Sequence, residues 1–122
     1  MEIKIEMDND VVILKLIGDL VASTAEELKA QIAKLIEKRY RFILLDLGRV
    51  GFIDSSGLGA CIAIKRDLAA NVGFLTCTGL NDNVRKVFRM TRADQKIMIF
   101  DDKHDAVNAL IERIRTVRMQ PK

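Results

Sequence analysis

A chain of 122 residues, about half of them apolar, can fill one hydrophobic core and is too short for a second domain, so residues 1–122 are expected to form a single domain. Its 20 basic and 17 acidic residues are interspersed and leave a net charge of +3, which excludes a disordered polyelectrolyte. The one basic concentration, Arg113, Arg115, Arg118 and Lys122, suits the negative end of a C-terminal helix, and no aromatic platform accompanies it, so nucleic acid is not an expected partner.

Residues 2–7 alternate Ile3, Ile5 and Met7 with Lys4 and Glu6, which predicts a half-buried strand and not a secretory leader. Asp8-Asn9-Asp10 is a turn signal, and Val11 to Ile17 is a β-branched strand ending at Gly18, so the two form a hairpin. Ser23-Thr24-Ala25-Glu26-Glu27 offers two overlapping capping boxes, Ser23 with Glu26 or Thr24 with Glu27. Leu28, Ile32, Leu35 and Ile36 then fall at helical spacing. Residues 41–47 are an almost continuous apolar run, expected to be a central strand buried on both faces.

A loop through Gly48 and Gly51 leads to Phe52-Ile53 and then Asp54-Ser55-Ser56-Gly57-Leu58-Gly59. Residues 58–68 read as an apolar helix, Asn71-Val72-Gly73 as a turn and residues 74–77 as a strand. A short helix carries Val84, Val87 and Phe88, residues 97–100 form a last strand, and Val107, Leu110, Ile111, Ile114 and Val117 anchor a final helix. The order β-β-α-β-α-β-α-β-α defines an α/β protein, a mixed sheet with about four helices packed on it. Apolar runs are too short to span a bilayer, so a cytoplasmic protein without membrane insertion is expected. Cys61 and Cys77 lie in apolar stretches without a CxxC spacing and are expected to be reduced and buried. With His104 the single histidine, no metal site is expected.

The chemistry concentrates in residues 53–59. A turn from a buried strand into a helix exposes backbone N–H groups and the positive end of the helix dipole. A serine there can simply cap the helix. Enzymatic readings fail: His104 begins a distant helix, the spacing is not G-x-S-x-G, and Ile62 stands where a dinucleotide loop needs its third glycine. The chain is therefore read as no enzyme, without cofactors. A phosphoacceptor fits better, because phosphate at a helix N-terminus is stabilised there and adds negative charge beside Asp54. The residues alone do not choose between Ser55 and Ser56.

The run Phe42-Ile43-Leu44-Leu45-Asp46-Leu47, followed by Phe52-Ile53-Asp54-Ser55-Ser56-Gly57-Leu58-Gly59, resembles the STAS-domain anti-sigma-factor antagonists. Gly18-Asp19-Leu20 with Ser23-Thr24-Ala25-Glu26-Glu27-Leu28 is similar to the family's first loop and helix, and Val84-Arg85-Lys86-Val87-Phe88 to its third helix. The resemblance implies partner switching. The unmodified protein binds an anti-sigma factor that is also a serine kinase, and so frees a sigma factor. The kinase, which holds the ATP, phosphorylates the antagonist and releases it, and a PP2C-type phosphatase restores it.

The motif match places the phosphate on Ser55. It places the partner surface on Asp19, Ser23, Thr24, Asp54, Ser56, Gly57, Leu58 and Gly59. Val21 replaces a carboxylate that many members carry, and Arg92-Ala93 replaces a frequent Gly-Leu. A protein that offers one surface to alternating partners is expected to be a monomer when free. The competing expectation is a constitutive docking subunit of a transporter or stress-sensing assembly, with the serine reduced to a cap.

Overall fold

The computed structural model describes residues 1–119; Lys122 of the basic C-terminal group lies outside them. Five strands form one sheet in the spatial order of the chain: β1 (Glu2–Asp8), β2 (Val11–Ile17), β3 (Phe42–Arg49), β4 (Phe74–Thr78) and β5 (Met98–Phe100). β1 and β2 are antiparallel, and β2 through β5 run parallel. The connections are α1 (Ala22–Glu37), α2 (Ser55–Ala70) and α3 (Asp82–Met90), and α4 (Lys103–Met119) closes the described chain. This is the α/β order expected from the alternating patterns.

Period-two alternation sorts the side chains between two cores. Val12, Leu14 and Leu16 of β2, Ile43, Leu45 and Leu47 of β3, and Leu75 and Cys77 of β4 point to one face. There they pack under Leu28 and Ile32 of α1, Leu58, Cys61, Ile64 and Leu68 of α2, and Val84 and Phe88 of α3. Val11, Ile13 and Leu44 point to the other face, which α4 covers with Ala106, Val107, Leu110 and Ile114. The uninterrupted apolar run of β3 follows from this arrangement, because a central strand with helices on both faces has no solvent side. Thr76 and Thr78, the buried polar side chains, donate to the carbonyls of Ala106 and Phe100.

β1 departs from the half-buried strand expected of it. It is exposed along its length apart from Ile3, and Ile5 and Met7 are 47% and 54% exposed. The alternation is real, but the strand lies at the sheet edge, where the helices cover little of it and Lys103 of α4 stands 3.9 Å from Glu6. α1 also starts earlier than its sequence suggests. Val21 is the N-cap and neither expected capping box forms. Thr24, at the third helical position, instead accepts from the N–H of Val21 (2.9 Å) and donates to the carbonyl of Asp19 (2.7 Å). Glu27 is turned to the amino group of Met1, 3.6 Å away. Gly48 lies inside β3 rather than in the following loop, because β2 and β3 stay paired as far as Ile17 and Arg49.

α2 ends in a Schellman arrangement. Val72 N–H bonds to Ala69 O and Gly73 N–H to Leu68 O, at 3.1 and 2.7 Å, with Val72 left-handed at φ +59°. A β-branched residue is strained there, whereas Gly73 is held to glycine by the Arg41 carbonyl, 2.5 Å from where its Cβ would lie. Val72 is 56% exposed, so its side chain makes little compensating contact. Val72→Gly is expected to stabilise the fold by about 1 kcal/mol, read as a higher denaturation midpoint with an unchanged slope. Arg92 is also left-handed at φ +61° and leads into a 3-10 turn, Ala93–Gln95.

Cys61 and Cys77 are free and buried, as their apolar settings predict. Burial pushes the Cys61 thiol up to about 12; it raises Cys77 well above its ordinary value, with Cys61 beside it adding to the effect. Both thiols are expected to resist a disulfide reagent in the native protein and to react fully once it unfolds. An unfolded chain ionises its thiols near 9.0, while the folded chain holds Cys61 neutral to about 12. Folding stability is therefore expected to fall as pH rises through that interval, as denaturant titrations at neutral and alkaline pH would show.

Candidate functional site

The site is built where β3 ends and α2 begins. Beyond Val50, Phe52 O accepts from Leu20 N–H (2.9 Å), and Leu20 O accepts from Asp54 N–H (3.3 Å). Leu20 and Ile53 thus form a short parallel bridge that ties the loop after β2 to the start of α2. Gly57 lets this contact close. A Cβ there would overlap the Leu20 carbonyl and stand 2.9 Å from Cγ1 of Ile53. Asn81, the N-cap of α3, donates to Val50 O and Gly51 O (3.2 Å each) and braces the same loop from the other side.

The cap of α2 is Asp54 and not a serine. Its carboxylate oxygen accepts from the N–H of Gly57 at 3.0 Å, and its carbonyl accepts from Leu58 N–H at 2.9 Å. Ser55 and Ser56 are therefore the first two helical residues, both exposed, with hydroxyls that the cap does not need. Their own N–H groups belong to the first turn, which has no intrahelical acceptors. A negative group on either oxygen would sit at the favourable end of the α2 dipole.

Among the expected surface residues, Asp19, Ser23, Ser55, Ser56 and Gly59 are exposed, and Thr24 and Asp54 are half-buried. Gly57 and Leu58 are buried, and Leu58 is a core side chain at 5% exposure, so neither offers a side chain to a partner. They hold the turn against the first loop and the core. Gly59 differs, since a Cβ on it would meet nothing within 4 Å. Packing does not require glycine at that exposed position.

Phe52, 52% exposed and two residues before Asp54, joins the same surface. Sequence reasoning missed it because an aromatic residue beside Ile53 reads as part of a buried strand. Val21, the N-cap of α1, is half-buried. His104 is on α4, across the sheet from α2, and Asn108 is 3.1 Å from its ring. It therefore cannot serve the serines as a base. Among the described residues no cluster of His, Cys, Asp and Glu could hold a metal ion, and no helix is long and apolar enough to cross a membrane.

A mixed five-stranded sheet whose α2 N-terminus and adjoining loop form one exposed surface is the architecture of an STAS domain. Residues 2–106 match the STAS domain family, and the chain belongs to it. It is 30% identical to the anti-sigma F factor antagonist of Paenibacillus polymyxa over 115 residues, covering 92% of this chain and 96% of the relative. The anti-sigma factor antagonist SpoIIAA in its unphosphorylated form superimposes with a TM-score of 0.67 at 26% identity, covering 98% of this chain and 100% of that one. The Bacillus cell fate determinant SpoIIAA in its phosphorylated form gives 0.70 at 25%, covering 89% and 99%. A sulfate transporter family protein from Wolinella succinogenes shares the fold, with a TM-score of 0.78 at 18% identity over 90% of this chain and 92% of that one.

Proposed function

We propose that this chain is an anti-sigma factor antagonist whose partner binding is switched off by phosphorylation of Ser55. The observation that carries the reading is the division of labour at the start of α2. Asp54 supplies the cap, so the exposed Ser55 hydroxyl is left for modification without cost to the helix. In the unmodified state, Asp19, Ser23, Ser56, Gly59 and Phe52 meet an anti-sigma factor that is also a serine kinase. That partner holds ATP and transfers the γ-phosphoryl group to Ser55 Oγ; ADP is the leaving group, and the hydroxyl proton passes to a base on the kinase.

The new charge, about −1.5 to −2, stands beside the Asp54 carboxylate and expels the partner. A PP2C-type phosphatase resets the switch by hydrolysis. The names of the relatives and the existence of SpoIIAA in both forms support this reading. So does the fit of phosphate to a helix N-terminus. The protein acts as a binding module in the cytoplasm and carries no cofactor of its own.

Affinity capture from native cells, with wild type and Ser55→Asp as baits, tests the proposal. Wild type is expected to retain an ATP-binding kinase that Ser55→Asp does not retain. Equal capture of one transporter or large assembly by both baits would instead establish the constitutive docking subunit.

A further inference from the structure

β1 is a seven-residue edge strand, longer than the opposite edge strand β5, and it runs without a bulge or proline along β2. Natural sheets protect such edges with short strands, bulges, prolines or charged side chains, because unpaired N–H and C=O groups invite another strand. Of those devices this edge has only the charges, which are of both signs in Glu2, Lys4, Glu6 and Asp8, and it also exposes Ile5 and Met7. The tight turn at Asn9-Asp10 fixes which groups are free. Asp8 and Val11 flank a two-residue loop and bond to each other, so Glu2, Lys4, Glu6 and Asp8 turn their backbone groups toward β2. The backbone groups of Ile3, Ile5 and Met7 therefore point outward.

We infer that β1 is an interaction edge whose partner is a second copy of this chain, paired antiparallel about Ile5. In that register the outward groups of Ile5 bond to those of Ile5 in the other copy, and Ile3 bonds to Met7 twice. On one face the pairing joins the exposed apolar side chains of both copies. On the other face it sets Lys4 opposite Glu6 at two symmetric places, a favourable cross-strand pair.

The neighbouring registers fail on charge. Centring on Lys4 sets lysine against lysine and Glu2 against Glu6, and centring on Glu6 sets glutamate against glutamate. The chosen register also brings Glu2 opposite Asp8 at its ends, where both are exposed and Lys4 already lies 3.8 Å from Glu2. β1 is separated from β3 by β2, so a second copy on this edge leaves the start of α2 open. A dimer of this kind replaces the free monomer expected from the switching role.

Sedimentation velocity of the full chain at rising concentration tests the inference, with Lys4→Glu and the exchange Lys4→Glu/Glu6→Lys as variants. Wild type is expected to shift from monomer to dimer. Lys4→Glu should raise the dimer dissociation constant about tenfold, and the exchange should restore it. Circular dichroism and thermal melting are expected to be unchanged, since both side chains are exposed. A wild type that stays monomeric into the millimolar range would overturn the inference. Dimers that are indifferent to Lys4→Glu would place the interface elsewhere, and failure of the exchange to restore pairing would refute the register.

Discussion

Ser55→Asp is expected to weaken binding of the kinase partner by about 2 kcal/mol or more, roughly thirtyfold, while leaving the melting temperature unchanged or slightly raised. The two effects have opposite signs for one physical reason. Ser55 is the first residue of α2, and a carboxylate there interacts favourably with the helix dipole, by about 0.3 to 1 kcal/mol. The same carboxylate enters a surface that already carries Asp54 and Asp19, so a partner matched to the neutral hydroxyl meets uncompensated negative charge. Titration calorimetry for binding and differential scanning calorimetry for stability separate the two effects. If the variant lost stability and affinity together, Ser55 would be a structural cap. Asp54, which holds the cap in the structure, would then have been assigned the wrong part.

The second large effect sets two glycines of the same turn against each other. Gly57→Ala drives a methyl group into the Leu20 carbonyl and against Ile53, both held by backbone bonding between the first loop and the start of α2. Neither neighbour can swing aside as an exposed side chain would. A loss of about 2 kcal/mol or more is expected, even after the better helix propensity of alanine is counted.

Gly59→Ala has open space and should gain about 1 kcal/mol of stability as a helix-interior replacement. It is nevertheless expected to lose partner affinity, because the added methyl stands on the surface where a second protein must approach the helix. Denaturant midpoints and binding isotherms of both variants check the pair. Equal stability of the two proteins would contradict the packing account, and full affinity of Gly59→Ala would remove Gly59 from the interface.

These contrasts show what sequence could and could not reveal. The central strand was legible because Ile43, Leu44, Leu45 and Leu47 leave no polar side, and only a strand buried on both faces asks for that. α1 was legible from Leu28 and Ile32, which need only helical spacing. The start of the same helix was not. Propensity favours Ser23 or Thr24 as a cap, but the chain places Val21 there and has Thr24 bond backward to Asp19, an arrangement set by the loop's attachment to Phe52 and Asp54.

At α2 the capping atom belongs to neither serine, so both hydroxyls stay free and the choice of Ser55 rests on the motif match. Phe52, Ile5 and Met7 were hidden for a common reason. An apolar residue in a strand pattern reads as core, and only the placement of helices over the sheet shows which apolar residues remain uncovered. The DSSGLG stretch itself was visible as a motif. The separate tasks of its two glycines, one pressed against a carbonyl and one facing empty space, emerge only in three dimensions.

The most direct test of the switch is the intact mass of the chain purified from its native cells, with and without phosphatase, followed by fragmentation to locate any phosphate. A single phosphate on Ser55, removed by the phosphatase, is the predicted result. A chain that stays unmodified under every growth condition, or one phosphorylated only away from Ser55, would contradict it.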